Sequence, residues 1–209
     1  MEQKIVFMGD DRISSIPSKE DGSSLVNFLT EFPELTFTEE AIYEKRHFGR
    51  RRIGEMLVHA QDLLPSGVKF LIRECHRPLD KQKALWDARM KDLKKSFPKQ
   101  TDEELFERCS RFIAPVNVAP YVTGAAVNLT LADEKTGKPL TMSETDTFTD
   151  AKYISRKARI NRNKLAKAMK EAGFVNYPVW WWHWSYGDKY WAFMTKGENT
   201  IYDFKQQPS

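Results

Sequence analysis

Thirteen consecutive residues, Asn176-Tyr177-Pro178-Val179-Trp180-Trp181-Trp182-His183-Trp184-Ser185-Tyr186-Gly187-Asp188, hold four of the six tryptophans and one of the four histidines. Indole rings in such number demand burial, so the rest of the chain must wrap around this stretch. Pro178 on one side and Gly187-Asp188 on the other give it the length and composition of a buried strand. His183 is the odd member. It reads as a core histidine bonded to backbone, or as a site residue if a second cluster converges on it.

A second cluster lies at Ala114-Pro115-Val116-Asn117-Val118-Ala119-Pro120-Tyr121-Val122-Thr123-Gly124-Ala125-Ala126-Val127-Asn128-Leu129-Thr130-Leu131. Together the two stretches resemble the zinc D-alanyl-D-alanine dipeptidases of the VanX type, among the zinc peptidases that cut cell-wall peptides. There the first block reads Ser/Pro-x-His-x-x-Gly-x-Ala-x-Asp-Leu-Thr-Leu and the second Glu-x-x-His, usually Glu-Trp-Trp-His-Trp. The resemblance implies a zinc held by the His and Asp of the first block and the His of the second, with the Glu as general base. Gly124, Ala126, Leu129, Thr130, Leu131, Trp181, Trp182, His183 and Trp184 match. Tyr121 stands in place of the first His, Asn128 in place of the Asp and Trp180 in place of the Glu.

Further matches extend the likeness from about residue 40 to the C-terminal end. Ile72-Arg73-Glu74-Cys75-His76-Arg77-Pro78, with Gln82 and Trp86, is similar to the family's strand ending in Tyr-Arg-Pro, whose Arg lies in the active site; Arg77 is the matching position. Asn161-Arg162, Ala172-Gly173-Phe174 and Tyr190-Trp191-Ala192 follow the pattern too. Catalytic zinc is usually held by three protein ligands with an open position for water. One imidazole, one neutral phenol and one neutral amide make a poor set at neutral pH. Without the metal, bound water keeps its high pKa, and without the Glu nothing takes its proton. The expectation is therefore no metal and no cofactor.

At 209 residues, 41% hydrophobic and 30% charged, the chain reads as a single soluble domain, with 1–40 as an N-terminal cover segment and 41–209 as the dipeptidase-like core. A net charge of +4, spread along helical segments, does not support nucleic-acid binding. Cys75 and Cys109 are too few for a disulfide scaffold, and no apolar run approaches the roughly 20 residues of a membrane span. The N-terminal patch Met1 to Asp11 lacks a signal-peptide core, so the cytoplasm is the expected location.

The expected fold is α+β, a small, mainly antiparallel sheet carrying strands at 69–74, 118–131 and 179–186, with helices against one side and end. Residues 12–40 read as irregular cover. The spacing predicts helices over 39–64 and from Pro78 to Phe97, a capping box at Thr101-Asp102-Glu103-Glu104 opening a third, and an amphipathic helix from Ala158 to Ala172 ended by Gly173. Lys135-Thr136-Gly137-Lys138 reads as a hairpin turn and 142–150 as a polar loop, where Ser143 and Glu144 depart from the family's Met-Gly-Thr-x-Phe-Asp.

Three functions fit these residues. In the first, favoured here, a metal-independent enzyme acts on a short peptide or amino-acid derivative by proton abstraction beside a carbonyl, giving epimerisation or isomerisation. Cys75, His183 and Tyr121 are its acid and base candidates; strand alternation sets Cys75, not His76, on the side of Arg77. Arg77, Asn128, Trp180, Thr123 and Trp182 are the candidate substrate contacts, with Glu74 as an alternative salt-bridge partner for Arg77. The second function is an inactive pseudo-peptidase that only binds peptide. The third is a zinc dipeptidase recruiting other ligands such as His47, His59 or Cys109.

Overall fold

The computed structural model describes residues 5–143 and 145–206. The departure read at Glu144 and the first four residues of the N-terminal patch lie outside the described residues. In chain order the elements are α1 (Asp11–Ser14), β1 (Leu25–Asn27), α2 (Phe28–Glu31), α3 (Glu39–Tyr43), β2 (Phe48–Arg50), α4 (Arg51–Asp62), β3 (Val68–Glu74) and α5 (Leu79–Ser96). They continue with α6 (Asp102–Ser110), 3-10 turns at Val116–Val118 and Pro120–Thr123, β4 (Ala126–Asp133), α7 (Arg156–Glu171), β5 (Val175–Asn176), β6 (His183–Ser185) and α8 (Lys189–Thr195).

The class is α+β. β3, β4, β6 and β5 lie side by side in that order, antiparallel throughout, and β1 pairs antiparallel with β2 in a separate ribbon. β4 lies inside the sheet and is buried on both faces: Val127, Leu129 and Leu131 are buried, and so are Ala126, Thr130 and Ala132. The main core joins Val127, Leu129 and Leu131 to Phe70 and Ile72 of β3, Ile53, Met56 and Leu57 of α4, Leu165 and Met169 of α7, and Trp181 and Trp184. Each such fully buried Leu, Ile or Phe contributes roughly 1.5–3 kcal/mol.

α6 starts at the expected capping box: the Thr101 side chain accepts from Glu104 N–H and the Glu104 carboxylate accepts from Thr101 N–H. α5 and α7 also lie where periodicity puts them.

Four expectations need correction. The helix over 39–64 is broken: α3 ends after Tyr43, Lys45 adopts a left-handed φ of 54°, and β2 intervenes before α4. The strand over 118–131 starts only at Ala126, because Pro120 opens a 3-10 turn and Gly124, at φ 71°, ends it. A Cβ at Gly124 would stand 2.2 Å from Leu25 Cδ2, so both conformation and space require glycine there.

The strand over 179–186 shrinks to β6. Trp180 N–H bonds Tyr177 O at 2.9 Å and His183 N–H bonds Trp180 O at 3.0 Å, so two successive turns carry the tryptophan run. Pro178 suits the second position of the first turn. The Asn176 amide donates to Trp180 O and His183 O at 3.1 and 2.9 Å, holding both turns.

The N-terminal segment is more than irregular cover. β1 lies in it, and its Phe28, Phe32, Leu35 and Phe37 belong to the main core. Arg50, fully buried, ties it down: Nε donates to Thr123 O at 2.7 Å, Nη1 and Nη2 grip the Glu20 carboxylate at 2.6 and 2.8 Å, and Nη2 reaches Asp203 O at 2.9 Å. One guanidinium thus fastens Glu20 and Asp203, far apart in the chain, to the turn that carries Tyr121.

Candidate functional site

A cleft of about 260 Å³ opens at the C-terminal end of β3. Arg77, Gln82, Tyr121, Asn128, Tyr177, Trp180, Trp182 and His183 line it, with Leu85, Phe112 and Ile113 among its apolar wall. Backbone events bring these groups together. Seven residues apart on one straight strand, Tyr121 and Asn128 would face opposite ways. The turn closed by Gly124 folds Tyr121 back, so that its hydroxyl donates to Asn128 Oδ1. β6 pairs with β4 so that Asn128 stands opposite His183, and the Tyr121 oxygen also meets His183 Nδ1 at 2.6 Å.

On the other side, a bulge shifts the register of β3 between Ile72 and Glu74 and sets Glu74 opposite Asn128. The Asn128 amide donates to Glu74 Oε2 at 3.3 Å. Arg77 forms a two-pronged pair with the same carboxylate, Nε to Oε1 and Nη2 to Oε2, both at 2.8 Å. Its Nη1 donates to Gln82 Oε1 at 2.7 Å, and its guanidinium lies 4.5 Å from the centre of the Tyr121 ring. Arg77 is therefore salt-bridged to Glu74, its alternative partner, and its side chain also borders the cleft.

Burial sets the charge states. It drives His183 down to about 3, aided by the Arg77 charge, so the imidazole is neutral at any physiological pH. Burial, reinforced by the Glu74 charge, raises the Tyr121 hydroxyl well above its ordinary value, so the phenol keeps its proton.

Two expected site residues lie elsewhere. Cys75 is fully buried in the main core and is absent from the cleft lining. β3 ends at Glu74, so alternation no longer applies; Cys75 N–H bonds Arg46 O and the side chain turns inward. Burial raises its thiol far above the ordinary value, the reverse of an activated nucleophile. Thr123 is also buried; its hydroxyl donates to Pro120 O at 2.7 Å and accepts from Ala125 N–H at 3.2 Å, closing the turn beneath Tyr121.

Trp180 and Trp182 do wall the cleft, their rings 4.8 Å apart, and Phe112 meets Trp180 edge-on at 5.8 Å. Sequence reasoning passed over Phe112 and Leu85, which keep 47% and 45% of their surface exposed. The signal available was weak: Leu85 is an apolar residue on the largely polar α5, and Phe112 lies in the turn that follows α6.

Zinc does not suit this donor set. The hydroxyl of Tyr121, a neutral phenol, lies in hydrogen-bond contact with both Asn128 and His183, the two other positions matched to zinc ligands. An amide oxygen and a protonated phenol are weak zinc ligands. His47 donates toward Ala41 O, His59 is exposed on α4, and Cys109 is buried between α5 and α6. Among the described residues no group of three or more His, Cys, Asp or Glu side chains is placed to hold a metal ion. Nor does any helix among them have the length and apolarity to cross a membrane.

Fold and cleft define a peptidase-like scaffold whose metal-binding positions hydrogen-bond to one another. Residues 35–206 match the family described as D-ala-D-ala dipeptidase (Peptidase_M15), and the chain belongs to that family. A D-alanyl-D-alanine dipeptidase from Synechocystis sp. (strain ATCC 27184 / PCC 6803 / Kazusa) is 31% identical over 96 residues, which cover 37% of this chain and 38% of that protein. The likeness to this relative thus spans well under half of its length. A solved structure of the LdcB LD-carboxypeptidase, described as revealing the molecular basis of peptidoglycan recognition, matches at a TM-score of 0.47 and 16% identity, over 86% of this chain and 76% of that one.

Proposed function

We propose that this chain is a metal-independent member of its family that binds a short peptide in the cleft without hydrolysing it. One observation carries the reading: the Tyr121 hydroxyl bridges Asn128 and His183. Hydrolysis by this scaffold needs a metal-activated water and a base, and the residues at those places supply neither. What remains is a recognition surface, with aromatic faces at Trp180, Trp182 and Phe112 above a polar floor of Arg77, Gln82 and Asn128. Family membership supports a peptide as the ligand.

The purified protein is expected to contain no stoichiometric zinc, to take up none from a zinc buffer, and to release no alanine from D-alanyl-D-alanine. About one zinc per chain with chelator-sensitive release of alanine would overturn the proposal.

The Tyr121–His183 contact at 2.6 Å favours a second reading, a cofactor-independent isomerase in which this pair moves a proton beside a carbonyl. Three features weigh against it. A histidine whose conjugate acid titrates near 3 is a weak base for a carbon acid, Tyr121 is held protonated, and Cys75 is in the core. Deuterium entering the α-carbon of a bound dipeptide in heavy water, and lost in His183→Gln, would establish turnover over mere binding.

A further inference from the structure

Charge is concentrated in one short segment of this chain. Of 33 basic and 29 acidic residues, which give +4, residues 151–170 hold eight of the basic ones and none of the acidic ones. That leaves 25 basic against 29 acidic residues in the other 189, a net of −4. Twenty residues thus reverse the sign of the whole.

α7 takes up most of the segment, and its packing sorts the cations outward. Ser155 caps its start by accepting Ala158 N–H at 3.1 Å, and Ala158, Leu165, Ala168 and Met169 form its buried side. Of its basic residues only Arg162 is buried. Arg156, Lys157, Arg159, Lys167 and Lys170 are exposed, and Lys164 is half-buried. Among the described residues, the one ion pair of this face joins Lys167 to Glu171, at 4.0 Å in the last turn. Sixteen residues make a basic ridge about 24 Å long.

The ridge also carries apolar surface. Ile160 keeps 46% of its surface exposed, and Tyr153, two residues before the N-cap, keeps 96%. Helical spacing sets Ile160 on one stripe with Arg156, Lys164 and Lys167, so cations flank it along the helix on both sides. An apolar centre among cations on a convex helix suits the surface of an anionic bilayer. There basic side chains meet the headgroup phosphates while apolar ones enter the interfacial layer. A nucleic-acid duplex offers phosphates as well, but no apolar layer to receive Ile160.

We infer that the outer face of α7 docks this protein on an anionic phospholipid surface. None of the residues involved lines the cleft, so the inference is independent of the peptide-binding reading. Each cation near such a surface strengthens binding about fivefold, and salt screens the attraction.

The test sediments the full chain with vesicles of phosphatidylcholine alone and with vesicles containing about 30% phosphatidylserine. Partition onto the anionic vesicles is expected to be at least about tenfold stronger, and to be lost as salt is raised from about 0.05 to about 0.5 M. Equal partition onto both kinds of vesicle, or onto neither, would overturn the inference. These arms use wild type alone and so depend on the folding of no variant.

Two variants then separate charge from apolar contact. Lys157→Glu/Lys164→Glu/Lys167→Glu should lower partition onto the anionic vesicles about a hundredfold or more. Ile160→Ser keeps every charge and should lower it about fivefold. Unchanged partition in the triple variant would overturn the inference. Binding of a short DNA duplex, with Ile160→Ser equal to wild type on vesicles, would overturn it too and mark the face as a nucleic-acid site.

Discussion

The phenolic oxygen of Tyr121 lies 2.6 Å from Nδ1 of His183, and the same hydroxyl donates to Asn128. Tyr121→Phe keeps the ring under the Arg77 guanidinium and deletes only this junction. The buried His183 and the half-buried Asn128 then lose this partner, at a cost of about 1–3 kcal/mol. The denaturant midpoint is expected to fall accordingly, with an unchanged m-value. A midpoint equal to wild type would mean that the hydroxyl does not bridge the two side chains.

Arg162 of α7 organises the loop beneath the tryptophan turns. Its guanidinium donates to four backbone oxygens, those of Met142 at 2.7 Å, Phe148 at 2.8 Å, and Ser143 and Asp146 at 2.5 Å. It also lies 4.9 Å from the centre of the Trp181 ring, and Trp181 N–H bonds Thr147 O of the same loop. Arg162→Lys keeps the charge but has no planar fork to span four carbonyls. A loss of about 2–4 kcal/mol is expected. Faster proteolysis confined to 142–150 should accompany it, and a protease pattern unchanged from wild type would count against this role.

The amphipathic and capped elements were legible because their signals are local. Thr101 and Glu104 mark the start of α6 by their own bonds, and α7 shows Leu165, Ala168 and Met169 of its buried stripe in its spacing, although Ile160, which the same spacing puts inside, is exposed. The break between α3 and α4 was hidden, since apolar spacing continues from Ile53 to Leu64 while Lys45 turns left-handed without glycine. The aromatic run looked like strand because β-propensity says nothing of the Asn176 amide that pins it into turns. Motif alignment placed Tyr121, Asn128 and His183 in one site, and the structure brings them into contact. Cys75 escaped the prediction because alternation presumes a strand, and β3 stops one residue before it.

Asp188 gives the fold a dependence on pH. Its carboxylate caps α8 by accepting Trp191 N–H at 2.7 Å, and burial raises it to about 6. An unfolded aspartate titrates near 3.9, so the folded state binds this proton more tightly. The group therefore favours folding most at pH below about 4, and that contribution is lost as pH rises through about 6. Asp188→Asn keeps an oxygen for Trp191 N–H and removes the charge. It is expected to match wild type near pH 4 and to exceed it at pH 8 by on the order of 3 kcal/mol. Denaturant curves at both pH values check this, and a variant less stable at pH 8 would show that the charge itself is needed there.

Restoring the family's donors tests why zinc does not suit the wild-type site. In Tyr121→His/Asn128→Asp/Trp180→Glu, an imidazole and a carboxylate join His183, and a second carboxylate returns at the base position. Asn128 and His183 face each other across β4 and β6, so the backbone for two of the three ligands is already in register. The triple variant is expected to take up about one zinc per chain and to gain thermal stability when zinc is added, because a metal bound only by the folded state shifts the unfolding equilibrium. Wild type should show neither effect. The Trp180→Glu single variant separates the two losses: it regains a base but no ligands, and should stay metal-free. Zinc uptake by that variant would show that Tyr121 and Asn128 are not what keeps the metal out.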